Sequence, residues 1–209
     1  MKFTLMLIAI CVIAFIYTAY VGGDAFVNEY GFSGPNLISR PWTVVTSIFL
    51  HANITHLLSN ILVLFFFGIA VEKEMKWKKM LVIFFLGAFA GSLVSLFFYP
   101  WDTISIGASA GVFALIGVGM LVKPLDLSFY PLIVPIPLAL LGILYALYNA
   151  YGFITEPTSE ISYIAHFGGL AVGLIFGIKH AGIKRSLMII GVVLAIMIAI
   201  PLLWFLLVK

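Results

Sequence analysis

Residues 106–123 read Ile-Gly-Ala-Ser-Ala-Gly-Val-Phe-Ala-Leu-Ile-Gly-Val-Gly-Met-Leu-Val-Lys. Ser109 is the only polar side chain between Ile106 and Lys123. The apolar run, 108–122, is 15 residues long, whereas a helix that crosses a ~30 Å hydrocarbon core needs roughly 20. This helix must therefore start within the bilayer thickness, with Asp102 to Gly107 reaching it as non-helical backbone. At that depth such backbone is tolerated only where protein or a watery cavity covers it. Gly107, Ala108, Ala110 and Gly111 are small enough to let neighbouring helices close around the run. Taken alone, Ser109 is one more packing residue, and whether it does chemistry depends on what other segments bring to it.

The rest of the chain fits a membrane setting. Of 209 residues, 64 % are hydrophobic and 9 % charged, against about 45–50 % and ~25 % in soluble domains. Seven apolar segments can be drawn, at about 3–21, 53–71, 79–98, 108–122, 131–151, 161–178 and 187–208. The expected fold is an all-α polytopic bundle of seven transmembrane helices. Between the first two segments, Gly22 to Ala52 carries Phe26, Tyr30, Phe32 and Trp42, which predicts a folded, membrane-embedded first loop at the interface. No internal repeat or soluble domain stands out. The single cysteine, Cys11, excludes an intrachain disulfide. The net charge of +3 does not indicate a nucleic-acid partner, because the lysines cluster at the ends of apolar runs.

Those lysines also orient the chain. With the N-terminus cytoplasmic and all seven segments spanning, Lys2, Lys73, Lys76, Lys78, Lys79, Lys123, Lys179, Lys184 and Arg185 fall inside, and only Arg40 and Lys209 fall outside. That asymmetry is a strong positive-inside signal, and it leaves the C-terminus outside. The second, fourth and sixth segments then all run inward. On the second lie His56 and Asn60, four residues apart on one helix face, and on the sixth lies His166. At 1.5 Å per residue, Asn60 and His56 sit ~18 and ~24 Å above Glu72, Ser109 ~21 Å above Lys123 and His166 ~20 Å above Lys179. Four polar side chains on three helices thus share a layer roughly 10 Å below the outer surface of the hydrocarbon core.

Polar groups at that depth are costly and mark function. His166 is suited to take the Ser109 proton and return it to a leaving amine. The backbone N–H of Ser109 and the side chains of His56 and Asn60 are candidates for an oxyanion site, helped by the free N–H groups and positive dipole end of the fourth helix. Gly169 and Gly173 allow the sixth helix to press on the fourth, and Phe113 can stack on the His166 ring. No carboxylate lies in this layer, so a Ser–His dyad is expected.

Gly107-x-Ser109, His56-x-x-x-Asn60, Ala165-His166-x-x-Gly169-x-x-x-Gly173 and Gly68-x-x-x-Glu72 occur in an order and on helices that resemble the rhomboid intramembrane serine proteases. The resemblance covers about Arg40 to Lys179. It implies a Ser109–His166 dyad, an oxyanion site that includes His56 and Asn60, and cleavage of single-span membrane proteins near the outer face, at small residues followed by helix-breaking ones. It departs at Phe113, where the family often has tyrosine, and at Arg40-Pro41-Trp42, which reverses a frequent Trp-Arg pair. The expected division is a catalytic six-helix core at 1–180 and an additional helix at 181–209, in a prokaryotic plasma membrane. No metal or organic cofactor is expected.

Two other readings belong to different classes. A client-binding relative without activity would lack the serine or the histidine, and both are present. A small transporter would show repeats. Gly152 to Glu160 is a candidate lid and the fifth helix a candidate lateral gate. Gly87 and Gly91 read as packing residues, His51 as structural, His180 as solvated. Glu72 and Glu74, amid four lysines, read as a surface charge network.

Overall fold

The computed structural model describes residues 1–127, 136–156 and 161–207, without the side chains of 200 and 202–207. The described residues form a polytopic helical bundle. Helix α1 (Lys2–Tyr17) runs through a wide π-type turn (Thr18–Gly22) into α2 (Gly23–Tyr30). The apolar run therefore extends as helix beyond the predicted end near residue 21, with one break at Gly23, where φ is +55°. Two short helices follow, α3 (Gly34–Ser39) and α4 (Thr43–Thr46). Ser33 caps α3 and Pro35 occupies its first turn, where a missing N–H costs nothing.

Helix α5 (Ile54–Ser95) has 42 residues, about 63 Å if straight, which is two crossings. It reverses at Lys76, the one non-glycine described with positive φ (+66°), giving arms at 54–75 and 77–95. After it come α6 (Ser109–Val122), α7 (Leu138–Thr155), α8 (Tyr163–Ala181) and α9 (Ile183–Leu207). Among the described residues, 2–30, 54–95, 138–155 and 163–181 are long and apolar enough to cross a membrane, while α6 is shorter. Together with α9 these make six core helices and a seventh. The fifth segment, expected from 131, is helical from residue 138 onward; 131–135 lie outside the described residues.

Helix α6 is the axis of the bundle. Every residue from Ala110 to Val122 is buried, although the helix is only about 21 Å long. A helix apolar on all sides belongs in a core, and here α8 and both arms of α5 enclose it. Glycines set the spacing. A Cβ on Gly169 would overlap the Ala110 carbonyl oxygen, and one on Gly173 would overlap that of Ala114. Gly87 faces the Ala114 methyl, and a Cβ on Gly91 would come within 2.5 Å of Ala110 Cβ and of the Ala165 oxygen. In lipid, where helices gain no hydrophobic drive toward each other, this close backbone approach supplies the dispersion contacts that hold them together.

The first loop anchors the chain that leads to Ser109. Phe32 and Ser105 exchange backbone hydrogen bonds (3.0 and 2.7 Å), and Gly107 N–H donates to the Ser47 carbonyl at 2.9 Å. Asn36 locks the loop from within by donating its amide to the carbonyls of Asn28 and Gly31. Trp101 to Ile104 are exposed and Ser105 to Gly107 half-buried, so only the last part of the non-helical approach runs under cover.

One predicted surface role is corrected at the lysine-rich end, that of Glu72, while His180 is exposed and Glu74 half-buried as expected. Glu72 is buried and accepts from the backbone N–H of Phe3 and Thr4 and from the Thr4 hydroxyl. It satisfies the free N–H groups at the start of α1 and so ties α1 to α5. His180 approaches Glu74 at 3.7 Å, and Lys123 meets the same carboxylate at 2.9 Å, linking the ends of three helices.

Candidate active site

Ser109 is the first residue of α6 and half-buried. Its position follows from Gly107, whose φ of +123° is open to glycine at little cost and strained for other residues. Absence of a side chain at Gly107 also makes room for His56. A Cβ there would sit 2.7 Å from His56 Nε2 and 4.0 Å from Ser109 Oγ. His56 is thus seated over the turn that presents the serine.

His56 and Asn60 belong to the first turns of α5, which Asn53 caps by accepting from His56 N–H at 2.8 Å. Asn60 is buried and donates one amide hydrogen to the His56 carbonyl at 2.9 Å. That bond fixes its side chain and leaves its second N–H uncommitted. His51 lies edge-on to His56 with ring centroids 5.0 Å apart. It is 1 % exposed, and its Nδ1 faces the Phe49 carbonyl, which makes it a buttress for His56.

His166 lies one turn into α8, whose N-terminus Ser162 caps. Ser162 Oγ also meets Ser95 Oγ at 3.1 Å, joining α8 to the end of α5. The imidazole lies flat on the Phe113 ring, with centroids 4.3 Å apart and planes 9° from parallel. Phe113 is four residues after Ser109, hence on the same side of α6. Tyr145 of α7 contacts Phe113 edge-on, and Tyr163 does the same to His166.

Sequence reasoning passed over Asn149. It is 1 % exposed, and its Oδ1 lies 2.8 Å from His166 Nδ1 while its Nδ2 donates to the Tyr163 carbonyl at 3.0 Å. A signal was there, since Asn149 is the one amide in the fifth apolar segment and a buried amide needs partners.

Among the described residues the buried side-chain nitrogens and oxygens without a partner are Thr43 Oγ1 and His51 Nε2. No hydrogen bond joins Ser109 to His166 among the described residues, and Ser109 Oγ and His166 Nε2 are not among the sealed atoms. Catalytic hydrogen bonds are often long in unliganded sites and tighten with substrate. Among the described residues no three His, Cys, Asp or Glu side chains cluster as a metal site would require. Of the candidate lid, Gly152 to Thr155 is the end of α7, and 157–160 lie outside the described residues.

A family model described as Rhomboid domain matches residues 39–182. The RHOMBOID-like protein 12, mitochondrial, of Arabidopsis thaliana is 30 % identical over 167 residues, covering 71 % of this chain and 49 % of the relative. The Rhomboid-related protein 1 of Caenorhabditis elegans is 31 % identical over 146 residues, 68 % of this chain and 41 % of the relative. Over a shorter stretch of 76 residues, 36 % of this chain and 28 % of the relative, the Rhomboid-like protease 3 of Toxoplasma gondii is 42 % identical. The chain spans about half or less of the length of these relatives.

Proposed function

The chain belongs to the rhomboid family, and from that premise we propose that it is an intramembrane serine endopeptidase acting through Ser109 and His166. The observation that carries the proposal is the flat stack of His166 on Phe113. It holds an imidazole beside the face of α6 that starts with Ser109, with Nε2 unoccupied.

In the proposed reaction the Ser109 hydroxyl gives its proton to His166 Nε2 as Oγ bonds to the carbonyl carbon of the scissile peptide. The oxyanion is received by Ser109 N–H, the uncommitted Asn60 amide hydrogen and His56. Collapse breaks the C–N bond, and the proton on Nε2 goes to the leaving amine. Water then loses a proton to Nε2 as its oxygen bonds to the acyl carbon; collapse breaks the C–Oγ bond, and Nε2 returns the proton to Oγ, which restores the serine. Preorganised donors matter because removing one typically costs about 2.7–4 kcal/mol of transition-state stabilisation. The substrates are single-span membrane proteins, cut near the outer face. The N-terminus is cytoplasmic and the C-terminus outside, by the distribution of lysine and arginine, in a prokaryotic plasma membrane. The catalytic core is 1–180, and 181–209 is the addition, whose helix α9 is seated through Ile189 against Met120, Leu121, Ala139 and Ile143.

A fluorophosphonate probe tests the nucleophile directly. Incubated with the purified protein in detergent, it is expected to phosphonylate Ser109, read by mass spectrometry of the digested chain. No adduct, or an adduct on another serine, overturns the proposal. A second expected result concerns Gly107→Ala. The change imposes about 1–3 kcal/mol of backbone strain at positive φ and drives a methyl into His56. Cleavage of a single-span substrate is expected to fall ~100-fold or more, with helix content by circular dichroism unchanged. A fall of less than threefold would show that the glycine geometry at 107 does not position the site.

A further inference from the structure

His166 has two ring nitrogens, and a base needs the lone pair on the right one. Asn149 decides which. Its side-chain amide touches two groups, the Tyr163 carbonyl and His166 Nδ1. A carbonyl oxygen only accepts, so the atom facing it must be the amide NH2, and the oxygen must face Nδ1. An amide oxygen likewise only accepts, so Nδ1 carries the hydrogen. In the neutral ring the lone pair is then on Nε2, the nitrogen left open.

The support around Asn149 is built to keep that orientation. Asn149, Gly152 and Glu156 follow one side of α7 at helical spacing. The Tyr163 ring packs against Gly152 so closely that a Cβ there would overlap the ring, and its hydroxyl donates to Glu156 at 2.7 Å. Three contacts thus clamp the end of α7 to the start of α8, with Asn149 at the deepest.

We propose that Asn149 is a positioning residue that holds His166 as the Nδ1–H tautomer, so that Nε2 is the base toward Ser109. This rests on the Ser109–His166 reading above. Nitrogen NMR of histidine-labelled protein in detergent reads the tautomer without reference to activity. His166, assigned through His166→Gln, is expected as Nδ1–H in the unmodified chain, and a Nε2–H form overturns the proposal. Asn149→Leu is expected to lower kcat about 10- to 100-fold with KM within twofold. Asn149→Asp is expected to recover most of that loss, because a carboxylate still accepts from Nδ1. If Asn149 only struts α7 against α8 through Tyr163, aspartate, which cannot donate to that carbonyl, will be as impaired as leucine. That outcome, or a kcat unchanged in Asn149→Leu, refutes the proposal. Absence of cleavage in every form, with the Nδ1–H signal present, would instead count against the protease reading alone.

Discussion

Ser109→Ala is expected to remove cleavage of a single-span substrate altogether, at no measurable loss of fold. The second half of that expectation comes from burial. Ser109 is half-buried at the start of α6 and makes no hydrogen bond to His166, so the change deletes one oxygen that supports nothing. Thermal unfolding in detergent should stay within a few degrees of the parent. The first half comes from how a nucleophile and its base work. Neither accelerates acyl transfer without the other, so their effects do not add. In serine proteases each loss alone removes roughly 10⁴–10⁶-fold, and losing both is little worse. His166→Ala and Ser109→Ala/His166→Ala should therefore be as inactive as Ser109→Ala in a gel-based cleavage assay. Cleavage by Ser109→Ala at the parental rate would mean that the chemistry resides elsewhere. A double variant whose loss equals the product of the two single losses would mean that serine and histidine act independently.

Much of this site was legible because helices in lipid leave few choices. A 15-residue apolar run has nowhere to sit except the middle of a bundle, and a small-xxx-small pair such as Gly169 and Gly173 has little use except close packing. The ring stack between Phe113 and His166 could be read from the spacing of Phe113 and Ser109 once α6 and α8 were taken to touch. Roles that depend on which of several polar groups meet were not legible. Glu72 sits among lysines in sequence, yet it turns inward because the N–H groups at the start of α1 need an acceptor. Asn149 is not legible as a partner of His166 because it carries no charge to mark it, and an amide fills the place on Nδ1 without one. The continuation of α1 into α2 was hidden by Gly22, which reads as a stop but is carried through by a wide turn.

Backbone contact between α6 and α8 leads to the second large effect. Gly169→Val is expected to lower both stability and cleavage, and Gly191→Ala neither. At Gly169 an added Cβ would meet the Ala110 carbonyl oxygen, carbon and Cα. Overpacking at side chains typically costs about 1–3 kcal/mol because rotamers can adjust. Here the obstacle is main chain on both sides, with Gly173 against Ala114 one turn further on, so relief comes only if α8 backs away. His166 is three residues before Gly169 on α8, and Ala110 follows Ser109 on α6, so any retreat opens the gap between base and nucleophile directly. A misplacement of about 1 Å is enough for roughly 10²-fold in rate. Gly191 on α9 has open space where a Cβ would go, which makes its alanine form a control for the mere loss of a glycine. Cleavage should be compared well below the melting temperature of the weaker variant, so that a shortfall in Gly169→Val reports geometry in folded molecules. Fluorophosphonate labelling of Ser109 should fall with it, since the same base activates the hydroxyl toward the probe. If Gly169→Val labels and cleaves as the parent does, the close approach of α8 to α6 is not what brings His166 to Ser109.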